Sequence, residues 1–380
     1  MAHLLLSGVL AATAGEASAG PAATMPTRAK RAASAAPRKR DAWPGSQEGL
    51  VFLWHSAWYT NQITDRGGKV IRTCRVEARG RAVFGRFHDM DLAGGFFLAE
   101  GADKALLSAC RRTGQLAVEA LITPDAAAPP RPAAIVSFGS DANSRNFTLA
   151  QRGEKLILRL RTPDNGPGGT KVQPELCRLT AGKPHHVIVT YRPGRTVCYL
   201  NGRQVADTAA VRGDFSNWAP QRLLFGDELR GGCDWAGRLE GVAVYSRFVG
   251  ADEAKRKYDL YRRRLAKRKD AVRLVVLGEC IEATATPTLK SIRPYRRCLA
   301  VYTYAVRKVL RGDCRERKIL VAHWVILDRK VLGLKRQVGR TYRLTVEAMK
   351  DHPQLDAERV VMEQDELDLP RYYDVGPRGK

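Results

Sequence analysis

Four segments of the chain carry polar and aromatic side chains of the kinds that bind sugars or calcium. Sugar recognition needs planar polar groups for the hydroxyls and an aromatic face for the ring, and calcium takes carboxylate and carbonyl oxygens. The candidate ligand-binding residues, segment by segment, are Asp141, Asn143 and Asn146; Asp214, Asn217 and Trp218; Asp227 and Glu228; and Asp234 and Trp235. Asp and Asn also form ordinary turns, so a purely structural role is the alternative at each position.

Residues for catalysis are harder to find. A glycosidase needs two carboxylates as nucleophile and acid, and on a strand these alternate because residues i and i+2 share a face. The only comparable cluster is Glu363–Asp368, which is typical of a solvated acidic segment. His185 and His186 are adjacent on a predicted strand and point to opposite faces, so they cannot both bind one metal. The sequence contains no GxSxG, HExxH or P-loop motif, and we assign no catalytic residue.

Charge points to the class of partner. The chain has 380 residues, with 64 Lys and Arg against 39 Asp and Glu, a formal net charge of +25. Such a surface attracts polyanions, whether nucleic acid, acidic polysaccharide or anionic lipid headgroups. No run of eighteen apolar residues occurs, so we predict no integral membrane segment.

The N-terminus has the pattern of an export signal. Leu4–Ala14 forms a short apolar core, and Ala17-Ser18-Ala19 is a small-x-small cleavage pattern. We therefore expect an exported protein, in the periplasm, at the cell surface or secreted; a start at Met25 would remove the signal and leave the protein cytoplasmic. The eight cysteines show no CxxC spacing, and either disulfides or buried free thiols fit their distribution.

The clearest elements lie between Gly182 and Gly202. His186–Tyr191 and Thr196–Leu200 are runs rich in β-branched and aromatic residues, separated by a turn that contains Pro193 and Gly194. Asn201-Gly202 is a strong hairpin signal. The segment therefore predicts two antiparallel strands and the start of a third.

The residues that follow extend this pattern into a family resemblance. Trp218, Arg222–Glu228 and Gly231–Gly250 continue the order "H-x-V-x-x-Y, turn, Y-x-N-G, W, L-x-x-G, G-x-x-x-W-x-G-x-L-x-x-V-x-x-Y-x-R". This order resembles the C-terminal half of laminin G-like and pentraxin-like domains, in the concanavalin A-like jelly-roll superfamily. The resemblance implies that His186 and Trp235 have structural roles and that loop carboxylates of the sandwich could bind Ca²⁺. The fold hosts lectins, adhesion modules and glycosidases, so it indicates a fold rather than one function.

After the predicted sandwich, the sequence pattern changes first to that of a helix and then back to that of strands. Ala251, Ala254, Tyr258, Tyr261 and Leu265 share one helix face, and basic residues crowd the opposite one. Four strands then follow, with a candidate fifth: Val272–Ile281, Cys298–Leu310, Lys318–Ile326, Thr341–Ala348 and Arg359–Met362. This is the strand count of an OB-like barrel. The aromatic ladder of a nucleic-acid-binding barrel is not evident, so we do not expect specific nucleic-acid binding.

We therefore predict an all-β chain: a jelly-roll β-sandwich, a basic helix and a second, small β-barrel-like domain. The predicted boundaries are a signal peptide at 1–19, a basic disordered linker at 20–46, the sandwich at 47–250, the helix at 251–270, the β-rich domain at 271–372 and a tail at 373–380. The predicted function is non-catalytic binding of carbohydrate through the sandwich rim loops, with acidic polysaccharide and cell-surface polyanions as partners. The alternatives are a polysaccharide-active enzyme or its accessory subunit, and a protein–protein adhesion module.

Overall fold

The computed structural model describes residues 43–376, apart from 56–57, 65–69, 126–128, 130, 142 and 270. The predicted signal at 1–19, Met25 and most of the predicted linker lie outside the described residues. Within the described part, no helix has both the length and the apolar character needed to cross a membrane.

Sixteen strands and one helix build the N-terminal sandwich. They are β1 (Leu50–His55), β2 (Trp58–Thr64), β3 (Val70–Gly80), β4 (Val83–Phe84), β5 (Met90–Leu92), β6 (Gly95–Glu100), α1 (Asp103–Thr113), β7 (Leu116–Pro124), β8 (Ala133–Asp141), β9 (Ser144–Arg152), β10 (Lys155–Leu160), β11 (Glu175–Arg178), β12 (His185–Arg192), β13 (Arg195–Leu200), β14 (Arg203–Thr208), β15 (Leu223–Phe225) and β16 (Gly237–Tyr245).

The strands form one hydrogen-bonded path in the order β11-β10-β9-β8-β15-β6-β3-β2-β1-β16-β7-β12-β13-β14. The long strand β3 carries the path from one sheet to the other, because Val70–Cys74 pairs with β2 and Arg75–Gly80 pairs with β6. The two sheets pack face to face around a single core. Val118, Val189 and Val242 enter this core from one sheet, while Phe147 and Phe225 enter it from the other. The predicted jelly-roll sandwich is confirmed.

The predicted hairpin is present with the expected register. Val187 pairs with Leu200 and Tyr191 with Thr196 in β12 and β13. Asn201 and Gly202 both have positive φ, at 51° and 75°, which is the conformation that an Asn-Gly hairpin turn requires. The chain then continues into β14, the predicted third strand.

Helix α1 is an element that the sequence pattern did not reveal. Leu106 and Cys110, one turn apart, are its buried residues and face the sandwich core. Gly114 ends the helix with φ of 63°, in the left-handed region that glycine adopts at no steric cost. The helix is short and its apolar stripe narrow, so its period is weak in the sequence.

Helix α2 (Ala251–Leu265) covers the outer face of the second sheet. Its Ala254 and Tyr261 pack with Ile188, Val197 and Tyr245. Strand β12 is therefore buried on both faces, which explains why its apolar residues Val187, Ile188 and Val189 are consecutive instead of alternating.

Trp43 belongs to the apolar layer that covers the outer face of the sheet under helix α2. It is buried in the same outer cluster as helix α2 and stacks on His55 with ring centroids 5.1 Å apart. The predicted linker boundary at residue 46 remains a prediction, because most of the linker lies outside the described residues.

The C-terminal region is a closed five-stranded barrel. Its strands are β17 (Arg273–Ala283), β18 (Cys298–Arg311), β19 (Lys318–Leu327), β20 (Lys330–Val331), β21 (Thr341–Ala348), β22 (Arg359–Val361) and β23 (Arg371–Asp374). The ring runs β17-β18-β19-β23-β21 and returns to β17. The β19–β23 pair is parallel and the other pairs of the ring are antiparallel, a Greek-key order of the OB type.

The strand that closes the barrel is not the predicted one. The candidate fifth strand at Arg359–Met362 forms β22, which pairs in parallel with the start of β18 outside the ring. Closure is made by β23, which crosses the predicted boundary between the barrel and a tail at 373. Tyr373 in this strand is buried, and Tyr372 packs against the barrel interior.

Candidate functional site

The loop between β8 and β9 holds its polar residues in local contacts. The Asp141 carboxylate accepts a hydrogen bond from the Asn143 backbone N–H at 3.0 Å and lies 3.2 Å from the Arg230 guanidinium. Asn146 is buried in β9, and its side-chain amide exchanges hydrogen bonds of 2.8 and 3.1 Å with the backbone of Ala219. Asn146 thus anchors the 209–222 segment, whereas Asp141 and the exposed Asn143 remain accessible at the rim.

The second predicted group, at 214–218, also contains both an exposed residue and a buried one. Asp214 is exposed and accepts hydrogen bonds from the backbone and hydroxyl of Ser216, which lower the pKa of its carboxyl. Trp218 is only 3% exposed and stacks on Phe215 with ring centroids 4.2 Å apart. Its Nε1 donates to the Arg161 carbonyl at 2.8 Å. The structure therefore places Trp218 in the core, where a sugar ring cannot reach it, and Asn217 half-buried beside it.

The third and fourth predicted groups lie together at 227–235, and most of their side chains are held by contacts within the fold. Asp227 accepts hydrogen bonds from the backbone N–H groups of Glu228 and Cys233 at 2.7 and 2.8 Å, and burial raises the pKa of its carboxyl. Glu228 forms a fully buried ion pair with Arg145 at 2.9 Å. Trp235 has no exposed surface.

The Trp235 side chain has the structural role that the family resemblance implies. Its Nε1 donates to Gln151 Oε1 at 2.7 Å, and its ring lies in the core. Asp234, beside it, accepts a hydrogen bond from the Gly94 backbone at 3.2 Å, and burial raises the pKa of its carboxyl. The aromatic face that the sequence suggested in this segment is therefore not accessible to a sugar.

The described side chains of the rim are not grouped as calcium ligands would be. Across the described residues, no three His, Cys, Asp or Glu side chains are grouped so that they could hold a metal ion. The rim carboxylates at 141, 214 and 227 lie on separate loops, and each is occupied by hydrogen bonds from its own loop.

A large cleft lies instead between the sandwich and the barrel. Its volume is about 890 Å³. The sandwich contributes residues around β4 and β5, and the barrel contributes residues from β17, β18, β21 and β23. The principal side chains that line it are Arg81, Phe84, Arg86, Phe87, Asp89, Asp91, Asp125, Arg238, Arg273, Arg311, Glu347, His352, Tyr373 and Asp374. Clefts of this size at domain interfaces are the usual location of ligand sites.

Specific contacts hold the two walls of the cleft together. The Gly80 backbone N–H donates to Asp328 Oδ2 at 2.9 Å, and Arg297 donates to the Ala82 carbonyl at 3.1 Å. Val83 packs into an apolar cluster on the outer face of the barrel that includes Trp324. The turn after β3 is therefore docked on the barrel.

The cleft is lined by both arginines and carboxylates, and three of its arginines form no close ion pair within the described part of the chain. Arg86, Arg238 and Arg311 line it and form no ion pair with any residue that the structure describes. Arg86 lies over the Phe87 ring, 5.1 Å from its centroid. Three guanidinium groups in one concave site favour an anionic ligand.

Two of the cleft's carboxylates are held by partners on the barrel. Glu347 accepts hydrogen bonds from Arg273 at 3.0 Å and pairs with His352 at 3.1 Å; the His352 contact is the main reason that the pKa of Glu347 is lowered. Burial would raise the pKa of Asp374, but the hydrogen bond with His323 Nδ1 at 2.9 Å, the charge of His323, the Gly376 backbone N–H and Arg336 together outweigh it and lower the pKa. Both carboxylates are therefore charged and already paired.

Asp89, in contrast, has a raised pKa. It is 3% exposed, and burial, followed by repulsion from Glu240, raises the pKa of its carboxyl, while Arg238 acts in the opposite direction. The Phe87 backbone N–H donates to its Oδ1 at 3.1 Å. A Cβ on Gly85 would lie 2.7 Å from the Asp89 carboxylate oxygens, so a larger residue there would displace this side chain. The wall of the cleft thus contains one buried carboxyl group whose pKa is raised.

Sequence reasoning did not find the cleft. Its residues are drawn from the segments 81–93, 125, 238, 271–273, 311 and 347–376, which share no motif. The alternation of Asp89 and Asp91 was a usable signal, because two carboxylates at i and i+2 in a β-rich segment share a face.

Comparisons with known proteins agree with the sandwich fold. Residues 101–255 match the family model described as "Concanavalin A-like lectin/glucanases superfamily". No curated protein sequence matches the chain. The laminin G-like resemblance of the 182–250 segment is therefore confirmed by an independent match that contains it.

Similar solved structures include a sialidase and a toxin domain. Trypanosoma rangeli sialidase in complex with sialic acid is 14% identical over 58% of this chain and 34% of its own, with a TM-score of 0.40. The binding domain of botulinum neurotoxin DC in complex with rat synaptotagmin II is 10% identical over 78% of this chain and 74% of its own, with a TM-score of 0.43. The chain spans about a third of the length of the sialidase. By its family match, the 101–255 segment of the sandwich is similar to the concanavalin A-like lectin/glucanase superfamily.

Proposed function

We propose that this protein is a glycan-binding protein that holds an acidic polysaccharide in the cleft between the sandwich and the barrel. The observation that carries the proposal is the set of three cleft arginines, Arg86, Arg238 and Arg311, that form no ion pair with a described carboxylate. A guanidinium group binds a carboxylate or sulfate through two parallel hydrogen bonds, and such charge-assisted bonds are the strong ones.

The cleft suits a sugar chain better than the rim loops do. Both tryptophans of the predicted rim site are buried, so the rim lacks an aromatic face. The cleft combines arginines with the half-buried rings of Phe84 and Phe87, which offer apolar surface beside the charges. The role of Asp141, Asn143 and the other rim residues in binding remains a prediction.

The overall charge supports the same partner. A net charge of +25 draws polyanions towards the surface, and the cleft arginines would then provide a defined site. Export to the periplasm, cell surface or medium, as the N-terminal pattern predicts, would bring the protein to such polysaccharides.

A binding assay on the full chain tests the proposal. Binding of polygalacturonate, dextran sulfate and neutral dextran would be measured by calorimetry at about 50 and 300 mM salt. We expect the two acidic polymers to bind and the double variant Arg238→Gln/Arg311→Gln to lose affinity by about 10-fold or more, the effect of removing charge-assisted hydrogen bonds.

The matched control is Arg203→Gln/Arg212→Gln. It removes the same number of positive charges, two, from exposed positions that do not line the cleft. An equal loss of affinity in both double variants would show that net charge acts alone and would refute a cleft site. Equal binding of neutral dextran would refute the preference for acidic chains.

A second candidate function, hydrolysis of the bound polysaccharide, is favoured by one observation. Asp89 has a raised pKa and Asp91 lies two residues further along the same wall. A pair of carboxyl groups that flank the bound sugar is the arrangement of glycoside hydrolases. Release of reducing ends from polygalacturonate by the parent protein, abolished in Asp89→Asn, would support it; no release with tight binding retained would leave binding as the sole function.

A further inference from the structure

Strand β11 lies at one end of the strand path of the sandwich. It has four residues and pairs only with β10. Strands β11 and β13, which belong to opposite sheets, lie against each other at this edge. Cys177 of β11 is half-buried and packs against the core cluster that contains the fully buried Cys198 of β13.

The two thiols are close enough to affect each other's ionisation. The interaction with Cys198 lowers the pKa of the Cys177 thiol, and the interaction with Cys177 together with burial raises that of Cys198. Cys177 is also the more accessible of the two, so it is the thiol that an oxidant meets first.

We propose that Cys177 and Cys198 form a disulfide bond that ties the edge strand β11 to the opposite sheet. In thiol–disulfide exchange with a small-molecule disulfide such as oxidised glutathione, the Cys177 thiolate attacks one sulfur and releases one glutathione. The Cys198 thiol then loses its proton and attacks the mixed disulfide, forming the S–S bond and releasing the second glutathione. Two protein thiols are oxidised and one glutathione disulfide is reduced.

The bond would stabilise the sandwich at an exposed edge. It closes a loop of about 20 residues and so restricts the unfolded chain. It also holds a short edge strand that only one neighbour stabilises, at a site where unpaired strand edges promote association. Disulfides persist in oxidising compartments, so the pair suits the export that the N-terminal pattern predicts. The inference does not depend on the proposed glycan ligand.

Peptide mapping of the full chain tests the proposal. The protein would be equilibrated in oxidised and reduced glutathione, its free thiols blocked with N-ethylmaleimide, and the product digested with trypsin. We expect one linked species that joins Val172–Arg178 to Thr196–Arg203 in the oxidised sample, and the two separate peptides after reduction. Both peptides fully alkylated under oxidising conditions that form model protein disulfides would overturn the proposal.

Thermal unfolding gives a second readout. We expect the oxidised protein to unfold about 5–10 °C above its reduced form, because a loop of this length contributes several degrees in a domain of this size. Cys177→Ala, a mild change at a half-buried position, should abolish the linked peptide and the shift, whereas the matched variant Cys233→Ala should retain both. A shift that persists in Cys177→Ala would contradict this bond as its cause.

Discussion

The ammonium group of Lys257 lies 3.2 Å from the Oε2 atom of Glu119, and both side chains are buried. Lys257 belongs to helix α2 and Glu119 to the central strand β7. The same carboxylate accepts hydrogen bonds from Tyr245 at 2.9 Å and from Trp43, and contacts His186 Nε2 at 2.7 Å. Burial would raise the pKa of Glu119, but Lys257, His186 and Tyr245 together outweigh it and lower the pKa to about 2. A charged hub therefore docks the helix and the N-terminal segment on the sandwich.

Removing the ammonium group should destabilise the fold strongly. Lys257→Met leaves the Glu119 charge buried and uncompensated, which should lower the free energy of unfolding by about 3–5 kcal/mol in urea titrations. The matched control is Lys255→Met, which breaks an exposed pair with Asp259 on the same helix and should cost less than about 1 kcal/mol. Equal effects of the two substitutions would contradict the role of the hub.

The hub should also make stability depend on acid pH. The folded-state pKa of Glu119 is depressed from 4.5 to about 2, so its stabilisation is complete above about pH 5 and is lost as the pH falls towards 2. The loss should be of the order of 3 kcal/mol. Melting temperatures from pH 7 to pH 2 measure it. In Glu119→Gln the decline over this range should be flatter by that amount, and identical profiles would refute the assignment.

The buried indole of Trp218 should matter for stability and not for ligand binding. Trp218→Phe removes the hydrogen bond to the Arg161 carbonyl and leaves a small cavity, so we expect a loss of about 1–3 kcal/mol in unfolding free energy. The affinity for acidic polysaccharide should stay within about twofold at 25 °C. Lost binding with unchanged stability would instead restore a sugar site at the rim.

Truncation should reveal which segment closes the barrel. Ending the chain after Pro370 removes β23, which leaves β19 and β21 with unpaired edges and exposes the apolar interior. We expect this variant to lose the barrel's cooperative unfolding and to become sensitive to protease between 271 and 370. Ending the chain after Gly376 keeps β23 and should change neither property. A protease-resistant barrel in the shorter chain would contradict closure by β23.

Local patterns predicted most of the fold. The hairpin at 182–202, the amphipathic helix after the sandwich and four of the five barrel strands all lie where their sequence periods place them. Alternation, β-branched runs and turn residues act within a few positions, so a single sequence displays them. Helix α1 and strand β23 escaped prediction because each is short and depends on packing against distant elements.

The candidate site shows where such reasoning ends. By composition, the sequence determined a basic protein suited to polyanions; by spacing, it determined a jelly-roll sandwich followed by a small barrel. Only the tertiary structure decided that Trp218 and Trp235 are buried, that Cys177 meets Cys198, and that arginines from distant segments line one cleft. The physical reason is that side-chain burial and the meeting of remote residues depend on how sheets and domains dock, and no local spacing encodes that geometry.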